Sequence, residues 1–320
     1  MVRRGGPVRA SVLAALVLSG CGEAPGVPRP SPSSSVEGLA ARLADPSFRS
    51  REEAEKALAA LAPEHYEEID RLRQSATDLE VQVRLDRVLS CPRILLSAAW
   101  LKAKKDGRED LVLGERWFRW EQEQQPVGYQ RFEARREPAG LLSFAFEMET
   151  DVDGDHEHIL VRYECTEDLR PLRLHAELTP AWGAETAVLD GEIQGEGWEI
   201  RRTLAEEGLL RIPWTSNDFP QEAALLLLPA WVRMGPAGRE ILHTDIQYPE
   251  MTLSRQVIRD EGNRRATLRG EGDKKPSCTI FLDEEGSIRT LQYVNNLKAE
   301  RVSEAEGLKI RDALRSKTSP

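Results

Sequence analysis

The sequence predicts an α+β protein: a small N-terminal helical domain, followed by a curved antiparallel β domain that carries one buried helix on its concave face. Three observations predict this. Apolar residues recur at helical spacing from Val36 to about Ser97. From about Asp110 to Arg301 the spacing changes to alternation, interrupted by short turns. One stretch, Ala223 to Leu228, is apolar on every side, the pattern of a helix with no solvent face.

The first segment is an address. Arg3, Arg4 and Arg9 precede the apolar run Ala10 to Leu18, and small residues follow, which together make a secretory signal. About nine apolar residues are too few to cross a bilayer, which takes roughly 20. The end of the run, Leu18-Ser19-Gly20-Cys21, resembles the lipobox of bacterial lipoproteins. The resemblance implies that residues 1–20 are a signal peptide, cleaved before Cys21. It also implies that Cys21 then carries a diacylglycerol and an N-acyl chain such as palmitate, each buried CH₂ contributing about 0.8 kcal/mol of membrane attachment. The membrane is thus the first expected partner. Gly22, where an Asp would mark inner-membrane retention in enterobacteria, favours the outer membrane facing the periplasm. Residues 21–35 are rich in Pro and Ser, and read as a tether reaching up to ~40 Å if extended.

Residues 36–97 form the helical domain. Asp45-Pro46 offers a cap followed by proline at the first helical position, and Phe48, Ala54, Leu58 and Leu61 continue one stripe until Ala62-Pro63 breaks it. Tyr66, Ile69 and Leu72 mark a second run; after Asp78, Val81, Val83, Leu85, Val88 and Leu89 mark a third. The stretch "LADPSFRSREEAEKALAALAPEHYEEIDRLRQSATDLEVQVRLDRVL" resembles HEAT-like repeats, which implies stacked antiparallel helices. About one and a half repeats cannot build the long groove of a solenoid, so this domain is expected to pack on the next one.

Residues 98–301 form the β domain. Strands are expected at 114–123, 129–136, 141–150, 156–165 and 172–178, with "QQPVG", "EPAG", "DVDGD" and "EDLRP" as the turns between them. More follow near 187–193, 198–205, 240–248, 254–259, 264–268, 278–282 and 288–294. Short loops imply an antiparallel meander of roughly ten strands that must curl to bury one face. Residues 218–233 interrupt it as a helix, with Pro220 in its first turn. This layout, with "PVGYQ", "LDEEGSIRTL" and the buried helix, is similar to the half-barrel of periplasmic lipoprotein carriers and lipid-binding lipoproteins. The resemblance implies a hollow for an acyl chain or similar ligand, lined by Phe144, Phe146, Met148, Ile159, Val161, Tyr163, Leu225, Leu228 and Trp231. Residues 302–320 close the chain as a helix and tail.

The densest chemistry is "DVDGDHEH", residues 151–158. A calcium loop wants carboxylates at positions 1, 3 and 5, Gly at 6 and Glu at 12. Counted from Asp151, with Asp153 and Asp155 following, the glycine falls at Gly154 and the twelfth residue is Arg162. The pattern fails. His156 and His158 alternate with Ile159 and Val161 and so point to the polar face, where a shared zinc ion would need a third ligand. His175 is the candidate, but pairing Cys165 with Leu172 sets it opposite Arg162, about 13 Å along the strand from His158. The stretch is read as a solvated hairpin turn, with no metal site.

No catalytic set appears: there is no G-x-S-x-G elbow, no glycine-rich phosphate loop, and Cys165 and His175 alternate to opposite faces. No cofactor is implied. A formal charge of -10 without a basic patch excludes nucleic acid. Cys91, Cys165 and Cys278 are too far apart for redox or zinc motifs and are read as small buried residues. The expected function is non-enzymatic: a lipid-anchored envelope protein that binds an apolar ligand or serves as an assembly partner of another envelope protein. The alternative is an envelope enzyme whose active site is dispersed along the chain. Replacing Cys21 by Ser is expected to move the protein from the membrane to the soluble fraction on ultracentrifugation; continued membrane retention would refute the lipobox reading.

Overall fold

The computed structural model describes residues 15–16, 35–152, 154–179, 186–194, 197–203, 208–213, 221–235, 238–247, 252–294 and 296–318. The residues expected to form a lipobox, Leu18, Ser19, Gly20 and Cys21, the expected tether up to residue 34, Asp153, Trp182, Trp214 and the expected helix start at 218–220 lie outside the described residues.

Three helices form the N-terminal layer: α1 (Val36–Arg42), α2 (Phe48–Ser75) and α3 (Leu79–Leu89). Each starts at a side-chain cap: Ser35 accepts from Gly38, Ser47 from Ser50, and Asp78 from Glu80 and Val81. Ser47, not Asp45, therefore caps α2; Asp45 instead accepts from the Ser47 amide at 2.7 Å and shapes the turn before it. Pro63 does not end the helix. It kinks it, with His65 non-helical at φ -113° and the chain continuing as helix to Ser75. Leu39, Leu43, Leu58, Ile69, Leu85 and Val88 close a core between the three helices. Buried Arg84 reaches across it to Glu52 at 2.9 Å and Glu55 at 2.5 Å.

The next helix, α4 (Pro92–Lys105), runs straight through the expected domain junction at 97/98. Pro92 occupies its first turn and Lys102, Lys104 and Lys105 its last, where they favour the negative helix end. Between them it is buried on all sides. Cys91 and Ile94 belong to the helical core, whereas Leu96, Ala99, Trp100 and Ala103 belong to the core of the sheet. One helix thus serves two cores.

The sheet is open and antiparallel throughout. A meander of eight strands follows α4: β2 (Gly114–Gln122), β3 (Gln125–Glu137), β4 (Leu141–Val152), β5 (Asp155–Thr166), β6 (Pro171–Thr179), β7 (Ala187–Gln194), β8 (Gly197–Thr203) and β9 (Gly208–Pro213). Then comes α5 (Gln221–Arg233), and a second meander: β10 (Glu240–Gln247), β11 (Thr252–Gly262), β12 (Arg265–Gly270), β13 (Cys278–Leu282), β14 (Ile288–Tyr293) and β15 (Leu297–Val302). A two-residue bridge, β1 (Ala15–Leu16), adds to the edge of β10. The two meanders are sewn together where β15 pairs with β2, from Leu297 opposite Gln122 to Val302 opposite Trp117. Helix α6 (Glu304–Thr318) follows that seam.

Among the described residues the sheet has fifteen strands against the twelve located by alternation, β1, β9 and β15 being the additions. The first turn also differs: it falls at Glu123 and Gln124, both at positive φ, so all of "QQPVG" after Gln124 lies inside β3. Pro126 is tolerated there by a register shift beside Trp120 and Glu121.

Alternation decides what each face does. Phe118, Trp120, Phe132, Phe144, Phe146, Ile159, Val161 and Leu174 point inward and join α4 and α5 in a single apolar cluster. Trp120 stacks on Tyr293 and donates its indole N–H to Gln130 at 3.1 Å. Trp231 of α5 is fully buried in this cluster, with the Arg239 guanidinium 4.8 Å from its ring centre. Trp231→Ala is expected to destabilise the fold by about 3–5 kcal/mol, read as a shift of the urea midpoint at unchanged slope.

Candidate functional site

The residues expected to line an apolar hollow do converge. Phe144, Phe146, Met148, Ile159, Val161, Tyr163, Leu225, Leu228 and Trp231 are all buried in one cluster. They meet one another and α4, which the sequence reading had left outside the β domain. The signal for α4 was present in Pro92, the apolar run Ile94 to Trp100 and the closing lysines, the same signature that located α5.

The opposite, convex face holds the polar geometry. Over β2–β4 it is covered by α6, which the sequence reading did not place. Ser303 starts α6 by accepting from the Glu306 amide at 3.3 Å, half of a capping box. Gly307 then rests on the Trp117 ring so closely that an added Cβ would lie 2.4 Å from it. Leu308, Ile310 and Leu314 pack on Trp117 and Tyr129. Trp117 and Trp120, on opposite faces of β2, are consequently both buried. A sequence signal existed: aromatic residues at outward positions of neighbouring strands, matched by an apolar stripe in the last helix.

Beneath α6 lies a clamp. Glu147 and Glu149 are buried, Glu149 to 3% exposure. The Tyr129 hydroxyl donates to Glu147 at 2.7 Å and contacts Glu149 at 3.1 Å. From α6, Arg315 donates to Glu147 at 2.9 Å and Glu149 at 3.3 Å. Arg131 of β3 approaches Glu147 at 3.3 Å, and Arg119 ties Glu306 of α6 at 2.7 Å. Burial opposes ionisation of Glu147, but the proximity of His158, the Tyr129 donor and the charges of Arg315 and Arg131 outweigh it and hold this carboxyl at about 2. Burial and the two carboxylates push the Tyr129 phenol well above its ordinary value.

The stretch 151–158 feeds this clamp. Val152 pairs with Asp155 across a tight turn in which Gly154 adopts φ 87°, a conformation glycine accepts readily. Asp155 is exposed and Asp151 half-buried on the hairpin. Both histidines point outward, half-buried, and each faces a carboxylate. Nε2 of His156 lies 2.9 Å from Glu149, and Nε2 of His158 lies 3.9 Å from Glu147. His175 sits opposite Arg162, as expected, although a bulge pairs Cys165 with Pro171 instead of Leu172. Among the described residues no group of three His, Cys, Asp or Glu side chains is placed to hold a metal ion. Glu157, between the histidines, turns to the concave side, where burial pushes it up to about 7.

Two grooves flank the clamp on the convex face. One, of about 560 Å³, runs beside α6 past Arg131, Ser143, Ala145, His158, Leu160 and Arg315. The other, of about 420 Å³, lies over β5–β8, with His175 held between Asp190 at 2.8 Å and Glu177 at 3.0 Å on its floor. The two share Arg162. Cys165 and Cys278 are buried free thiols, pushed upward by burial, Cys278 to about 12, and so unreactive.

No family model matches the chain. No curated protein matches it either. Among solved structures it is similar to a beta-barrel-like protein, a domain of unknown function (DUF1849) from Brucella abortus. The two are 11% identical, with a TM-score of 0.42, over 60% of this chain and 97% of that one.

Because Glu147 is held below its unfolded value of about 4.3, its contribution to stability is complete above that value and is lost as pH falls toward about 2. Acid titration of unfolding should therefore show stability declining below pH ~4, with a visibly shallower decline in Glu147→Gln; identical acid limbs would refute the clamp's electrostatics.

Proposed function

We propose that this chain is a non-enzymatic, lipid-anchored protein of the cell envelope that acts as an assembly partner through the convex face of its sheet. The observation that carries this reading is the occupancy of the concave side. Helices α4 and α5 fill the space enclosed by the curled sheet with side chains from Leu95 to Ala103 and from Ala223 to Trp231, joined to the strands in one packed cluster. A carrier needs a hollow that a ligand can enter, whereas the polar grooves at Arg162 and Arg315 are open on the outer side.

The same reading gives the other parts their roles. A lipid on Cys21 and the tether up to residue 35 would hold the folded part near the outer membrane, facing the periplasm. The HEAT-like helices α1 to α3 would serve as a spacer, fixed to the sheet through α4.

The test is the lipid content of a soluble form lacking the signal and Cys21. Mass spectrometry of the purified protein should find no stoichiometric lipid, and phospholipids or fatty acids should leave its melting temperature unchanged. A copurified lipid at one per chain, lost on Trp231→Phe, would establish the carrier reading instead.

A further inference from the structure

We propose that β10 is a dimerisation edge: a second copy of this chain adds its own β10 antiparallel to it, about a two-fold axis at Thr244, and the two sheets become one. Apart from the two-residue bridge β1, the open sheet ends at β9 and β10. The two differ as edges. β9 has six residues and closes on Pro213, which cannot donate to a ladder. β10 offers eight, Glu240–Gln247, without proline, lysine or arginine, and pairs with β11 along its whole length with no register shift. Proline, lysine and bulges are the usual guards of an edge; a regular edge without them is a template for another strand.

Among the described residues the outer side of β10 meets only β1, where Ala15 and Leu16 lie antiparallel opposite Gln247 and Ile246. Both belong to the segment expected to be cleaved before Cys21, and on that reading processing leaves the whole edge open.

Register names the occupant. About a two-fold axis perpendicular to the sheet, directly opposed residues share a face. With Thr244 on the axis, Thr244 opposes itself, His243 opposes Asp245 and Leu242 opposes Ile246. By residue type each of these cross-strand pairs is favourable: hydroxyl with hydroxyl, imidazole with carboxylate, aliphatic with aliphatic. The neighbouring registers fail. An axis at His243 sets Ile241 against Asp245, and an axis at Asp245 sets two carboxylates face to face. The favoured register also puts Ile241 and Leu242 of the second copy where β1 puts Ala15 and Leu16, so a leucine stands opposite Ile246 in both.

A shared edge of about 27 Å is short for a dimer free in solution. Two copies anchored in one membrane meet at a raised effective concentration, and the perpendicular axis leaves both convex faces on the same side of the joined sheet.

Disulfide trapping of the mature chain carrying Cys21→Ser tests the proposal, with the same chain lacking an added cysteine as control. The free thiols Cys165 and Cys278 are buried and do not compete. Thr244→Cys should cross-link to itself under mild oxidation, because its opposed Cα atoms stand about 4.5–5.5 Å apart, within disulfide range. Glu240→Cys, exposed on the same strand, should cross-link at least about tenfold more slowly, its mate lying ~27 Å away. An equimolar mixture of His243→Cys and Asp245→Cys should give the mixed dimer in excess of either self-dimer. Adding Leu242→Lys to Thr244→Cys should abolish the cross-link at an unchanged melting temperature. No cross-link at Thr244→Cys, or equal rates for Thr244→Cys and Glu240→Cys, would overturn the proposal. Membrane-extracted protein whose intact mass retains residues 1–20 would overturn it differently, by refuting the cleavage that opens the edge.

Discussion

The structure depends on a single helix that is buried on every side from Pro92 to Trp100. Helix α4 takes Cys91 and Ile94 into the core of the helical layer and Leu96, Ala99 and Trp100 into the core of the sheet. Such burial leaves no polar face to spend on solvent, so α4 forms only where both neighbours are present. Tyr66 packs on both clusters and repeats this bridging at the edge of α2. The helical layer and the sheet therefore share α4 and Tyr66 as common packing elements. Arg93 and Lys104 extend the joint by reaching the turn after β5, at Asp168 and Glu167.

Filling the concave side has a consequence for the convex one. A sheet with one face committed to its own helices must meet the rest of the cell with its other face. Here that face carries cross-strand ion pairs, among them Arg173 with Glu164 at 4.0 Å and with Glu192 at 3.9 Å. Exposed pairs of this kind contribute little stability; they govern which surfaces can approach. The exception is the patch under α6, where Tyr129, Glu147 and Glu149 have left water, and where the cost of their burial is met by mutual hydrogen bonds and by Arg315.

Much of this was legible in the sequence because it followed from short-range rules. Alternation located the inner face of β4 and β5 residue by residue, and placed His175 opposite Arg162. The all-apolar run of α5 announced its burial. What the sequence concealed depended on contacts between distant segments. The convex side of β3 and β4 reads as solvated because Glu147 and Glu149 are carboxylates; only a helix more than 150 residues later makes them buried. Likewise "DVDGDHEH" gave its turn correctly, yet the partners of its histidines could not be read, since hydrogen bonds to Glu149 depend on side-chain direction across strands. The cap of α2 was misread for the opposite reason: Asp45 and Ser47 are both good caps, and local geometry chose between them.

The seam between β15 and β2 has a further meaning for how the molecule comes into being. Strands that neighbour each other at the centre of the sheet are 175 residues apart along the chain where Gln122 pairs with Leu297. Each meander can assemble early from adjacent hairpins, but the halves join only when the final strand arrives. Pairings of such long range make folding slow, and until they form, β2 and β15 each present an unpaired edge able to recruit a stranger. The sheet is thus completed last at its middle, and the chain must be almost entirely released from whatever synthesises or carries it before it has a native state to reach.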